Sequence, residues 1–360
     1  MGHARKLVAA VLLSAAALAA CDSGEPAPAP EPEPTAIQRS VAQRADSVEE
    51  IVAADIDTGV APGAVVVLAD DNGERTVVRG VADSERNTPL RPDHSFKTAA
   101  LTVPIVAATV MQMEQDGLLR RDQSVAELSP GLLSTGDRIT VEELLAHASG
   151  LTEGRPAADD DAFVREIADE PLEHEPGERF EYRNEDYAVL GLLVEAVEGE
   201  PLAAVLDRRV FEPLRMRTAR LAPDKPAPPG LAHGYDGGQD VTDEDLSWVG
   251  GAGAVTAGAE DVSAFLRGLF EGALLPSAAV QEMTEMRDLN FSGWSGYGLG
   301  VARVHTDCGV AYGHSGGVPG YASEAWYDLE TRRSAVIMLN SVGGAVSGTV
   351  DSILEAALCD

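Results

Sequence analysis

The sequence predicts an α/β (α+β) fold: a mostly antiparallel sheet with helices on its faces and a helical lobe inserted into it. Three observations carry this. Helix-periodic apolar segments stand near both ends, at 37–56 and 346–358. Strand pairs with turn signals lie just inside them, and residues from about 120 to 240 read as helix and loop. A helix with one apolar stripe must bury it, and a sheet flanked in this way supplies the surface.

From the N-terminus, Arg5 and Lys6 precede an apolar run from Leu7 to Ala20, which closes Leu18-Ala19-Ala20-Cys21. A basic head, a short apolar stretch and small residues at the cut describe an export signal over 1–20. Small residues ending on Cys resemble the bacterial lipobox, so Cys21 is expected to be lipidated and to anchor the chain on the extracytoplasmic face of the cell membrane. The run is short for a spanning helix. Residues 21–36 are expected to form a tether: Glu25–Pro34 alternates Pro with Ala and Glu, which cannot build a core, and at about 3.1 Å per residue the segment reaches roughly 30–40 Å. One domain is expected over 37–358.

Within it, Val41, Ala45, Val48, Val52 and Ile56 recur at helical spacing. Ala64–Ala69 and Arg75–Val81 flank Asp71-Asn72-Gly73, a hairpin turn signal. Ala100–Leu119 is apolar nearly all round at its start, with Pro104 tolerable only near the first turn. Thr140-Val141-Glu142-Glu143 is an N-cap pattern, and Tyr187–Val197 is helical up to Gly199. Ala259–Phe270 is a further helix. Strands follow at Gly298–Val304, Ala311–His314, Ser323–Tyr327 and Ser334–Asn340, then the closing helix Val346–Leu358.

Asp and Glu number 59 against 27 Lys and Arg, a net charge of −32. That excludes nucleic acid as a partner and excludes adhesion to an anionic bilayer by surface charge. With Cys21 lipidated, Cys308 and Cys359 remain in an oxidising compartment and are expected to pair. There is no His-Glu-x-x-His and no clustered ligand set, so neither a metal site nor a cofactor is expected, and His147 reads as structural.

Tyr182-Arg183-Asn184 gives Tyr-x-Asn, and Tyr312-Gly313-His314-Ser315-Gly316-Gly317 gives His-x-Gly. With Phe96–Gly117 upstream, Leu144–Leu151, Phe211–Met216 and Tyr297–Gly300, the order and spacing resemble the class C β-lactamase and serine D-Ala-D-Ala carboxypeptidase family over roughly 37–358. The resemblance implies that family's fold, a Ser-x-x-Lys nucleophile motif at the start of the Ala100 helix, Tyr182 as proton shuttle and Asn184 on the ligand's amide. It also implies that His314, Ser315 and Gly316 line the receiving strand, and that the backbone N–H groups of Ala100 and Gly317 form an oxyanion hole. The Ser and Lys positions hold Ala100 and Val103. The chain has three lysines, Lys6, Lys97 and Lys225, and none stands three residues after a Ser.

Gly313–Gly317 also spells Gly-x-Ser-x-Gly, but a nucleophile elbow needs a helix after the Ser and a His downstream, and His314 is the last histidine. Three readings follow. The favoured one is a catalytically inactive, membrane-tethered pseudoenzyme that binds a peptidoglycan peptide or a protein partner. The second is an active serine hydrolase of β-lactams, D-amino-acid peptides or esters, using Ser95, Thr102 or Ser315 as a displaced nucleophile. The third is a structural lipoprotein with a vestigial cleft.

Overall fold

The computed structural model describes residues 39–221 and 228–359. The export signal, Cys21, the Pro-rich tether and Lys225 lie outside the described residues. Among those described, no helix is long and apolar enough to cross a membrane.

Nine strands form one antiparallel sheet: β1 (Gly63–Asp70), β2 (Gly73–Asp83), β3 (Thr88–Pro89), β4 (Arg287–Phe291), β5 (Trp294–Tyr297), β6 (Ala302–Thr306), β7 (Gly309–Val318), β8 (Tyr321–Tyr327) and β9 (Ser334–Leu339). Their spatial order is β3-β2-β1-β9-β8-β7-β6-β5-β4. β1 is buried along its whole length, as its run of Val and Ala demands. Val65 and Val67 enter one core while Ala64, Val66 and Leu68 enter the other, the two-residue alternation of a strand covered on both faces.

α1 (Val41–Asp57) and α5 (Gly344–Leu358) pack together on one face; α2 (Thr102–Gln115), α3 (Asn184–Glu198) and α4 (Ala259–Phe270) contribute to the core on the other. Ser40 opens α1 with a reciprocal capping box to Gln43. The fully buried Arg44 ties the two ends of the chain: its Nε donates to Ala357 O at 2.9 Å, and its Nη2 pairs with Asp70 at 2.9 Å. Cys308 and Cys359 are joined as a disulfide. Between 120 and 240 the described chain holds helices at 141–145, 160–167, 184–198 and 202–206, with only two-residue strands.

Three expectations need correction. The predicted strand Gly298–Val304 is broken: Tyr297 ends β5, Gly300 turns with φ +74°, and β6 starts at Ala302. The hairpin β4–β5 was not foreseen, although Ser292-Gly293 between apolar residues is a turn signal of the same kind as Asn72-Gly73. The Ala100–Leu119 helix begins as a 3₁₀ turn at Ala99–Leu101 and ends at Gln115. Ser315 lies inside β7 with β8 next in the chain, so no elbow exists there.

Arg44→Ala should lower the unfolding free energy by about 3–5 kcal/mol, because it strands a buried carboxylate and two carbonyls. Urea denaturation checks this, and a change below about 1 kcal/mol would show that the ends are held by apolar packing alone.

Candidate ligand-binding cleft

The segment before α2 is clamped from both sides. Phe96–Lys97 pairs with Val255–Ala257. Thr98 then donates to Val255 O through its N at 3.0 Å and its Oγ1 at 2.8 Å. The Thr102 hydroxyl donates to Ala99 O at 2.8 Å and accepts from Val255 N at 3.1 Å. From the sheet, Ser323 Oγ on β8 donates to Thr98 O at 2.8 Å. Held this way, Ala99 keeps φ at +49°, a strained value for a residue with a Cβ.

β7 passes in front of this turn. Gly316 must be glycine there: a Cβ would lie 2.5 Å from Thr98 O and 3.0 Å from Ala100 N. β6 pairs with β7 only as far as Ala302↔Gly313, so residues 314–318 are paired with β8 alone and leave one edge open. That open edge lines a cleft of about 320 Å³ with Ala100, Tyr182, Asn184 and Trp294.

Tyr182 and Asn184 are positioned by His147. Its carbonyl accepts from Glu181 N at 2.8 Å, and its Nδ1 accepts from Arg183 N at 3.3 Å, bracketing Tyr182 in the chain. The His147 ring lies 4.3 Å from the Tyr182 ring. Asn184 is the first residue of α3. Two turns of hydrogen bonding lie beneath: Asp186 faces His147 Nδ1 at 2.9 Å, and Ser149 donates its hydroxyl to the other carboxyl oxygen. Burial drives His147 down to about 3 and pushes Asp186 well above the usual carboxyl range, the Ser149 bond opposing the latter. Burial thus disfavours the charged form of both partners.

His314 is also buried and neutral. Burial lowers its imidazole to about 3. Nδ1–H donates to Ser315 O at 2.7 Å, which leaves Nε2 to accept from the Tyr297 hydroxyl at 3.2 Å. The Tyr182 hydroxyl makes no hydrogen bond among the described residues, and burial raises its pKa.

The cleft thus gathers Ala100, Tyr182, Asn184, His314, Ser315, Gly316 and Gly317 from three distant parts of the chain. Val103 does not reach it; one turn into α2, it is 0% exposed within the apolar core. Ser95 and Thr102 are buried and do not line it, whereas Ser315 does. Lys97 is turned away, its Nζ donating to Glu244 O at 2.6 Å. Phe291 and Trp294 were missed by the sequence reading; they wall the cleft, with Phe291 stacked on Tyr182 at 6.0 Å. Val249, Ala252 and Gly253 close the opposite side. Among the described residues, no three His, Cys, Asp or Glu side chains are grouped to hold a metal ion.

A sequence model of the beta-lactamase family matches residues 48–360. The chain belongs to the beta-lactamase family. Among curated relatives, the putative penicillin-binding protein PbpX of Bacillus subtilis is 29% identical over 59% of this chain and 56% of its own length. The D-aminopeptidase of Gluconobacter oxydans is 27% identical over 82% of this chain and 58% of its own. The esterase EstB of Burkholderia gladioli is 35% identical over 43% and 46%. The chain thus spans roughly half the length of these relatives. The solved D-amino acid amidase from Ochrobactrum anthropi superposes with a TM-score of 0.80 at 25% identity, covering 87% of this chain and 98% of the amidase.

The His314 geometry has a pH consequence. Its folded value near 3 lies below the unfolded 6.5, so unfolding takes up a proton below that point and this ring removes stability as pH falls. His314→Gln should flatten the fall of unfolding free energy between about pH 6 and pH 4 by up to about 1.4 kcal/mol per pH unit. Urea denaturation across that range measures it; an unchanged slope would mean that the native ring is protonated.

Proposed function

We propose that this chain binds a D-amino-acid-containing peptide of the cell wall in its cleft without forming a covalent intermediate. The observation that carries the reading is the pair Ala100 and Val103, standing where the family resemblance places the nucleophile and its lysine. Ala100 offers a methyl group to the cleft, and Val103 is sealed in the core. An acyl-enzyme needs a nucleophilic atom, a base to take its proton and an oxyanion hole around one carbon. Of these, the cleft retains backbone amides at Ala100 and Gly317 and a phenol at Tyr182.

Binding without reaction asks less. The open edge of β7 offers main-chain groups to an extended peptide, the recognition mode of strand addition. Asn184 faces the same space, and aromatic walls at Phe291 and Trp294 exclude water from it. The names of the relatives, a penicillin-binding protein, a D-aminopeptidase and a D-amino acid amidase, favour peptides with D-residues. The displaced-nucleophile reading is left with Ser315 alone. Among the described residues no lysine lines the cleft, and burial disfavours the charged forms of both His314 and Tyr182.

Incubation with a fluorescent penicillin followed by a denaturing gel should give no covalent band for the wild type, and a stable band overturns the reading. Ala100→Ser alone should also give no covalent band, because with Val103 sealed in the core the new hydroxyl has no lysine beside it.

The proposal includes a lipid anchor at Cys21, supported by Leu18-Ala19-Ala20-Cys21. Cells expressing the full chain and fed an alkyne-bearing palmitate should label it, and Cys21→Ala should abolish the label. Equal labelling of both would remove the anchor from the proposal.

A further inference from the structure

A second pocket of about 290 Å³ adjoins the cleft and shares Tyr182 and Asn184 with it. Its far wall is Trp248, half-buried and standing edge-on to Phe163 with ring centroids 5.0 Å apart. Its floor is Glu185, the residue after Asn184, only 3% exposed. One carboxyl oxygen of Glu185 accepts from Gly154 N at 2.6 Å and the carboxyl is also held by its own backbone N–H, but no ion pair to it forms among the described residues, although the side chain lines the pocket. A buried carboxylate without an ion-pair partner is costly unless something charged reaches it. Burial accordingly pushes the Glu185 carboxyl up.

Arg183 does not supply that partner. Its guanidinium is drawn to Glu173 at 2.7 Å, Glu181 at 2.8 Å and Glu153 at 3.5 Å. Arg179 also pairs with Glu181 at 2.9 Å, and two guanidiniums among three carboxylates still leave the surroundings negative, before Glu185 is counted. The indole of Trp248 adds a π-face that attracts a cation.

We propose that this pocket is a subsite for a protonated primary amine carried by the peptide in the cleft, with Glu185 as its hydrogen-bonding counter-ion and Trp248 as its platform. The inference rests on the reading that the cleft holds a D-amino-acid peptide, and it names the feature that selects among such peptides. Because Tyr182 and Asn184 border both spaces, a side chain leaving the main chain at the cleft reaches the pocket without crossing the protein surface. The buried Glu185 carboxylate then gains the counter-ion that its environment lacks.

Two probes separate the amine from the rest of the ligand: L-Lys-D-Ala-D-Ala and its Nα,Nε-diacetyl form, titrated calorimetrically into the wild-type chain. The free-amine peptide should bind at least about tenfold more tightly, a difference of about 1.4 kcal/mol. Glu185→Gln keeps an acceptor for Gly154 N and should erase the preference while leaving the diacetyl peptide's affinity unchanged. Trp248→Leu should reduce the preference in part. Equal binding of the two peptides by the wild type, which needs no variant to fold, overturns the subsite while leaving the cleft reading in place. So does a preference that survives in Glu185→Gln. Failure of both peptides to bind overturns the cleft reading and the subsite together.

Discussion

The hydrogen-bonded clamp on Thr98–Thr102 is the constraint on which the rest of the site depends. Thr98 is bonded through three of its polar atoms: its N and Oγ1 to Val255 O, and its carbonyl to the Ser323 hydroxyl on β8. Thr102 closes the turn from the other side with Ala99 O and Val255 N. The clamp fixes the distance from the start of α2 to the sheet so closely that only glycine fits at 316. It also holds Ala99 at a positive φ, strain that persists only where the surroundings over-determine it. The cleft exists because β7 and the 3₁₀ turn are held side by side while β6 stops short.

Beneath the cleft lies a layer of buried polar groups whose charged forms desolvation disfavours. His147, Asp186, Ser149, His314 and Tyr297 are all shielded from water and joined by hydrogen bonds. In a chain with net charge −32, two acidic side chains, Glu185 and Asp186, are nevertheless buried next to the cleft. In such a medium hydrogen bonds strengthen one another, and each member left without a partner is expensive. His147 illustrates the double duty of such residues. It bridges the chain on either side of Tyr182, so a group without catalytic chemistry of its own sets where the cleft's phenol stands.

Much of the fold was legible because it is local. α1, the β1–β2 hairpin around Asn72-Gly73, the helix over 259–270 and the closing helix follow from apolar period and turn chemistry. The β4–β5 hairpin was missed because Arg287–Phe291 alternates weakly and its first strand is a sheet edge. The strand at Gly298 was misread for a related reason: Leu299 and Val301 are apolar and buried, yet Gly300 turns the chain between them, so their burial serves packing in the core and not sheet pairing.

The sequence by itself determined the family, the order of the strands' parent segments and the identity of Ala100 and Val103, because motif spacing and periodicity are properties of neighbouring residues. Tertiary structure alone decided that Val103 lies in the core while Ala100 faces the cleft, although both sit within one turn of the same helix. It alone brought Phe291 and Trp294 to Tyr182, and Trp248 to Glu185. Contacts across such separations depend on how the layers pack, and no local pattern in the chain encodes them.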